Sequence, residues 1–211
     1  MSSSSKLTAR YMQIPDIPEV MVIDQVSFTN AWPERSYHFE LNESQVSYML
    51  VLEKMEQREL SAWKRLVNSL RGEESDYELQ PVVVGYGGLW KIAEEAHIST
   101  IASHPDYRGH KYGEILLASM LIRAIALKAE YVVLEVRVSN DVAQNLYKKY
   151  GFVIHGTKKN YYHQDNEDAY DMRLDLTPEA IELVQALSKT LAERVTFIDR
   201  FSKTVHPRLG R

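Results

Sequence analysis

The chain has 211 residues and no cysteine. That absence rules out disulfides, thiolate metal sites and an acyl-cysteine intermediate, so any acyl transfer has to go by direct attack or through another nucleophile. It suits a reducing compartment, and a cytoplasmic protein is expected. Also missing is any apolar run approaching the roughly 20 residues that a membrane helix needs. The serine-rich start, Met1 to Lys6, is followed by no apolar signal core, so a soluble, unexported chain with no membrane partner is expected. An excess of basic charge is absent as well. With 25 Lys plus Arg against 29 Asp plus Glu, the net charge is -4, which argues against general nucleic-acid binding and is compatible with a basic peptide partner. No second ligand lies at metal spacing from the strand histidine His97, so no metal site is expected and a solvated or groove-lining imidazole is the better reading. There is no internal repeat, and no low-complexity segment beyond the short serine run.

What is present is a composition of 45% hydrophobic and 26% charged residues, enough for one well-formed core. The informative stretch runs from Ile98 to Phe152. It reads as an apolar strand ending in His-Pro, a short basic turn from Tyr107 to Gly113, a long apolar-periodic helix, a strand from Val132 to Val138, and a helix opening at Asn140. The helix after the turn sets Ile115, Leu116, Ser119, Ile122, Ala126 and Leu127 near one face, so it can lie on a sheet while its N-terminus points backbone N–H groups into the turn. Such an end suits a phosphate. Gly109 and Gly113 permit close backbone approach, and Arg108, His110 and Lys111 add actual or potential positive charge. A solvated surface turn would explain the same residues.

Three groups of residues carry a resemblance. They are Ile101-Ala102-Ser103-His104-Pro105-Asp106-Tyr107-Arg108 through Tyr112 and Gly113, the run Leu134-Glu135-Val136-Arg137-Val138-Ser139-Asn140, and Asn145-Leu146-Tyr147 with Tyr150-Gly151-Phe152. Together they resemble the GCN5-related N-acetyltransferases (GNAT), and within them the enzymes that acetylate protein N-termini, including the alanine of ribosomal protein S18. Asn160-Tyr161-Tyr162 and the run Glu167 to Met172 look like the same subgroup. The resemblance covers roughly residues 8 to 176. It implies an α/β (α+β) fold with a mixed, mainly antiparallel central sheet splayed into a V and helices on both faces. It also implies acetyl-CoA as cosubstrate. The acetyl-CoA loop departs from the family pattern at one point: the register Arg108 to Gly113 sets Lys111 where the middle glycine belongs. A side chain there could crowd the pyrophosphate, and its ammonium could equally pair with a phosphate.

In chain order, residues 1–6 are expected to be a flexible N-terminus, 7–176 the transferase domain with a helical insertion at about 53–80, and 177–211 a C-terminal helix and tail. Leu7 to Met12 reads as a strand, and Asp16 as the cap of a helix through Phe28. Trp32-Pro33 breaks the chain before a short helix at Glu34 to Leu41; Trp32 is either a wall of the acceptor groove, as the resemblance implies, or a core-edge aromatic. Val46 to Leu52 and Val82 to Trp90 read as strands, the second dense in glycine, which suggests a bulge or close backbone approach. Between them Met55, Leu60, Trp63, Leu66, Val67 and Leu70 fall at helical spacing, ahead of a polar stop at Gly72 to Asp76. That helix packs on the outside or faces a partner. Thr177-Pro178 starts a last helix, with Val195 and Ile198 extending its stripe to about Phe201, followed by an Arg-rich tail.

Acetyl transfer to an amine requires a neutral amine, a stabilised oxyanion and a proton for the leaving thiolate. A protein N-terminal amine titrates near 8 against about 10.4 for lysine, so a modest base can prepare it at neutral pH. Glu135 is the candidate base: Val132, Leu134, Val136 and Val138 form one apolar strand face, and Glu135 and Arg137 point the other way near the strand's C-terminal end. A solvated strand face would explain the same pattern. The resemblance implies that Tyr147 is the acid for the thiolate, that Asn140 contacts the cofactor besides capping its helix, that the main chain of Ile101, Ala102 and Ser103 lines the pantetheine arm, and that Tyr161 and Tyr162 close over the acceptor N-terminus. Packing for Tyr147 and an exposed hairpin for the tyrosine pair are the plain alternatives. Acetylation of lysine or a small amine, and non-catalytic CoA binding, stay open as functions.

Overall fold

The computed structural model describes residues 7–71, 77–204 and 206. They form an eight-stranded mixed sheet with helices on both faces. The strands are β1 (Leu7–Tyr11), β2 (Ser47–Glu59), β3 (Tyr77–Ile92), β4 (Glu95–Ser103), β5 (Tyr131–Arg137), β6 (Val153–Tyr162), β7 (Glu167–Asp175) and β8 (Phe197–Asp199). Their spatial order is β6-β7-β5-β4-β3-β2-β1-β8. All neighbouring pairs are antiparallel except β4 with β5 and β1 with β8.

One face carries α1 (Ile17–Ser27) and α2 (Glu34–Asn42), whose Ile17, Val20, Ile23 and Tyr37 pack on Met49, Val51, Val83, Tyr86 and Ala102. The other carries α4 (Tyr112–Ala126), α5 (Asp141–Lys149) and α6 (Pro178–Arg194). Helix α4 is buried nearly all round because it lies between the sheet and α6. Strand β5 alternates as its sequence demands, with Val132, Leu134 and Val136 buried against the α4 side and Glu135 on the α1 side.

The β4–β5 pairing governs everything that follows. It spans only Glu95 with Tyr131, Ala96 with Val132, and His97 with Val133. Beyond His97, β4 continues to Ser103 along β3 while β5 continues to Arg137 along β7. The two strands part, and the sheet opens into the expected V.

Three expectations are corrected. The inserted helix, α3, is confined to Ala62–Leu70, capped by the Ser61 hydroxyl accepting from the Lys64 N–H at 3.3 Å. Met55 belongs instead to a long extension of the β2–β3 hairpin, in which residues 53–59 pair with 77–83 after a bulge at Leu52/Glu53. Charged residues with good helix propensity take the strand form here because ladder pairing overrides propensity. The last helix ends at Arg194, not near Phe201: Val195 is extended, Phe197–Asp199 pairs in parallel with β1, and Ile198 points outward while Phe201 is fully buried. What draws the chain back is Arg123 of α4, which is buried, donates to the carbonyl oxygens of Phe201 and Thr204, and lies 5.4 Å and 5.5 Å from the rings of Tyr11 and Phe201. Finally, Asp16 does not cap α1 with its side chain. A 3-10 turn at Ile14–Asp16 precedes the helix, and the carboxylate accepts from the Gln13 N–H at 2.7 Å and pairs with Arg10 at 2.7 Å. The N-terminal residues 1–6, the polar stop at 72–76 and most of the Arg-rich tail lie outside the described residues.

Candidate active site

The V opens on the α1 side of the sheet, and Glu135 stands at its mouth, two residues past the last β4–β5 pair. Because His97 and Val133 are register partners, His97 rises from the same face as Glu135. The imidazole Nε2–H donates to Glu135 Oε2 at 2.8 Å. On the far side of β7, the ammonium of Lys158 donates to Glu135 Oε1. Burial by itself pushes the Glu135 carboxyl up, yet the hydrogen bonds and charges of His97 and Lys158 outweigh it and bring it down to about 2. The group is a fixed carboxylate over the whole neutral range.

Aromatic rings extend the site in both directions. Trp90 meets His97 edge-to-face at 5.5 Å, and Trp32 stacks on Trp90 at 6.3 Å. Trp90 is held by its indole N–H donating to Glu40 at 3.0 Å, and the Trp32 backbone N–H donates to Asp24 at 2.6 Å. At the other end Tyr161 and Tyr162 pack edge-to-face at 5.2 Å, and the Arg137 guanidinium lies 3.9 Å from the Tyr162 ring. Burial pushes the Tyr162 phenol up to about 12. Arg137 also pairs with Glu167 at 2.8 Å and with Asp165, while Asp165 accepts from the Thr29 hydroxyl at 2.9 Å. These contacts tie the α1–α2 loop to the β6–β7 hairpin across the open face.

Tyr147 approaches from the opposite side. It lies on α5, almost fully buried among the α4-side residues, with its ring 5.9 Å from Phe152. Burial, reinforced by the neighbouring Tyr162, raises its phenol above the ordinary range, so it stays protonated at neutral pH. Asn140 caps α5, its side chain accepting from the Ala143 N–H at 3.1 Å.

The turn between β4 and α4 is exposed and partly left-handed. Gly109 has φ +80° and Lys111 φ +63°, so the missing glycine position of the loop is a left-handed one in this chain. Arg108, Gly109, His110 and Lys111 are all exposed, with the His110 Nδ1–H donating to the Arg108 carbonyl oxygen at 3.0 Å. A Cβ at Gly109 or Gly113 would meet nothing within 4 Å, which leaves space over the turn. Two side chains point elsewhere. Tyr112 is buried in the core and stacks on Tyr107 at 6.3 Å, so only its backbone faces the turn. The Lys111 ammonium reaches back to Glu114 at 3.5 Å, which Lys149 also holds. Ile101 and Ser103 are half-buried at the free end of β4. An extended arm can run along that parted strand edge, and its phosphates can meet the turn and the N-terminus of α4. Lys111→Gly is expected to relieve the left-handed strain and raise stability by about 0.5–1 kcal/mol, roughly 1–4 °C in a thermal melt; a lower melting temperature would mean that the Glu114 contact outweighs the strain.

The structure therefore brings Glu135, Tyr161, Tyr162 and, through Trp90, Trp32 to one strip, and gathers Ile101 to Gly113 along the parted edge. Sequence reasoning missed Trp90, Lys158 and the Arg137 clasp, and took His97 as a solvated or groove-lining imidazole without its Glu135 partner. The signal for His97 and Trp90 was their register, which alternation along β3 and β4 alone does not give. No cluster of three or more His, Asp or Glu able to hold a metal occurs among the described residues.

Comparison with known proteins agrees with this architecture. Residues 18–152 match the family described as Acetyltransferase (GNAT) family. A Bacillus subtilis protein named as a candidate ribosomal protein bS18-alanine N-acetyltransferase is 36% identical over 168 residues, 80% of this chain and 95% of that one. An N-alpha-acetyltransferase of Sulfurisphaera tokodaii is 30% identical over 171 residues, covering 79% of this chain and 92% of the relative. In fold, the crystal structure of the ribosomal-protein-S18-alanine N-acetyltransferase from Escherichia coli superposes with a TM-score of 0.61 at 21% identity, over 81% of this chain and 94% of that one. The chain belongs to the GNAT acetyltransferase family, whose members are acyltransferases with acetyl-CoA as cosubstrate.

Proposed function

We propose that this enzyme acetylates the free α-amine of a protein N-terminus, with the N-terminal alanine of ribosomal protein bS18 as the favoured acceptor. The observation that carries the reading is the Glu135 carboxylate at the mouth of the parted β4–β5 edge, flanked by the Tyr161–Tyr162 pair and the Trp90–Trp32 pair. The names of the Bacillus and Sulfurisphaera relatives support the acceptor class.

In this reading acetyl-CoA supplies an activated acyl thioester. The main chain of Ile101, Ala102 and Ser103 orients its arm, and the turn from Arg108 to Gly113 with the α4 N-terminus receives its phosphates. Asn140 borders the same channel while capping α5. Glu135 attracts the acceptor ammonium and takes its proton through an ordered water, because a carboxyl held near 2 is a weak base by itself and a strong electrostatic anchor. The amine nitrogen then attacks the thioester carbonyl. The N–C bond forms, the C–S bond breaks, Tyr147 gives a proton to the departing thiolate from the other side of the gap, and the acylated nitrogen loses its second proton to water, from which Tyr147 is reprotonated. Base and acid approach from opposite faces of the sheet, which is possible only where the strands part.

The discriminating assay is thiol release from acetyl-CoA with a basic peptide beginning Ala-Arg-Tyr, beside the same peptide with a blocked N-terminus. Release only with the free N-terminus is expected; release with both would identify lysine as the acceptor. Tyr147→Phe is expected to lower turnover by about tenfold or more with little change in acetyl-CoA affinity. A loss of thermal stability with normal turnover would make Tyr147 a packing residue.

A further inference from the structure

The two oxygens of Glu135 are held unequally. Oε2 is fixed by His97, an imidazole anchored on the sheet against Trp90. Oε1 is held by Lys158, whose long stem rises from the edge strand β6 and whose side chain is 43% exposed, against 10% for Glu135. That ammonium has a second carboxylate in reach, Asp171 Oδ2 at 3.9 Å, and the face of Tyr161 at 5.7 Å. Glu135 and Asp171 are direct cross-strand partners on one face, where like charges repel. Lys158 neutralises both.

We infer that Lys158 is a built-in competitor that occupies the acceptor ammonium's seat on Glu135 and yields it, moving to Asp171 and Tyr161, when an acceptor N-terminus enters. The inference rests on the assignment of Glu135 to the acceptor amine made above. Lys158 carries the same chemical group as the acceptor, a primary ammonium. It holds the carboxylate oxygen that the sheet-anchored His97 does not, and its alternative partners lie within a rotation of a flexible stem. Exchanging one ammonium for another keeps the charge at Glu135 balanced throughout, so the half-buried carboxylate never stands unpaired. A blocked N-terminus cannot make this exchange. Lys158 thereby sets the affinity and selectivity for the acceptor rather than the rate of the chemical step.

Calorimetry on the full chain saturated with CoA, titrated with the peptide beginning Ala-Arg-Tyr, reads the competition without turnover. Lys158→Met keeps the stem and removes the charge, and it is expected to tighten peptide binding about two- to fivefold, the range an exposed ion pair can contribute. Lys158→Arg should return wild-type affinity. In a Glu135→Gln background Lys158→Met should give no tightening, because the contested carboxylate is gone. Unchanged or weaker binding in Lys158→Met, or tightening that persists when Lys158→Met is combined with Glu135→Gln, overturns the proposal. Thiol release by the wild-type enzyme separates the two ideas. Absence of release with the free peptide would overturn the α-amine reading, whereas normal release with unaltered peptide affinity in Lys158→Met overturns the competitor alone.

Discussion

Glu135→Gln is expected to lower turnover on a free N-terminal peptide by about 10²- to 10³-fold near pH 7 while acetyl-CoA binding stays close to wild type. The substitution preserves volume and removes the charge that gathers His97, Lys158 and, in the proposed mechanism, the acceptor ammonium. It touches neither the turn from Arg108 to Gly113 nor the free end of β4. Thiol release gives the first quantity and calorimetry with acetyl-CoA the second; unchanged turnover would remove Glu135 from the mechanism. The pH dependence follows from the depressed carboxyl. At about 2 it is ionised through the whole working range, so the rise of kcat/KM with pH belongs to the acceptor amine, near 8, and not to Glu135. The groups that face the carboxylate are His97 from β4, Lys158, Tyr161 and Tyr162 from β6, and Asp171 from β7. The Glu135→Gln variant should show the same limb at a lower plateau. For stability the sign is that of a lowered carboxyl: Glu135 stabilises the fold above its unfolded value near 4.3, and that contribution is lost as the pH falls through about 2. The difference in stability between wild type and the Glu135→Gln variant should therefore shrink across that acid window.

How far the sequence reached is best judged from Glu135 and its partners. Its placement on the less apolar face of β5 was legible because strand alternation is local, and the Val132, Leu134, Val136 series fixes it. The turn and the start of α4 were legible because glycines and a helix start are also local signals. The partners of Glu135 were not. His97 meets it only because β4 and β5 pair in parallel for three positions and then stop, and Lys158 only because β6 lies outside β7. Register between distant strands is a tertiary outcome that periodicity does not encode. The same limit explains the hairpin extension: Glu53 to Glu59 has the composition of a helix, and only pairing with 77–83 decides otherwise. Beyond α6, Val195 and Ile198 fit a helical stripe as well as a strand, and the choice falls to Arg123 and the β1 edge, both far away in sequence.

Gly85→Val is expected to cost about 3 kcal/mol, roughly 6–12 °C in melting temperature for a chain of this size. Gly85 lies in β3 between Leu52 of β2 and Ser103 of β4. A Cβ there would stand 2.9 Å from the Ala102 carbonyl oxygen and 3.1 Å from Leu116 Cδ1, a fully buried side chain of α4. The first neighbour is backbone and the second is locked in the core, so neither can swing aside. Overpacking must move β4 itself. Ala102 and Ser103 belong to the segment proposed to line the acetyl-CoA arm, so the same displacement should weaken acetyl-CoA binding, a second effect that a simple stability defect far from the site would not produce. Gly156→Ala in β6 is the matched control: a Cβ there meets nothing within 4 Å, and its effect should stay within about 0.5 kcal/mol. Thermal melts of the two variants with calorimetry on the folded Gly85→Val protein test both halves. An unaltered melting temperature would show that the sheet accommodates the side chain. A lowered melting temperature with normal acetyl-CoA affinity would show that strand β4 can shift at Ala102 without disturbing the parted edge, and would move the cofactor-lining role off that residue.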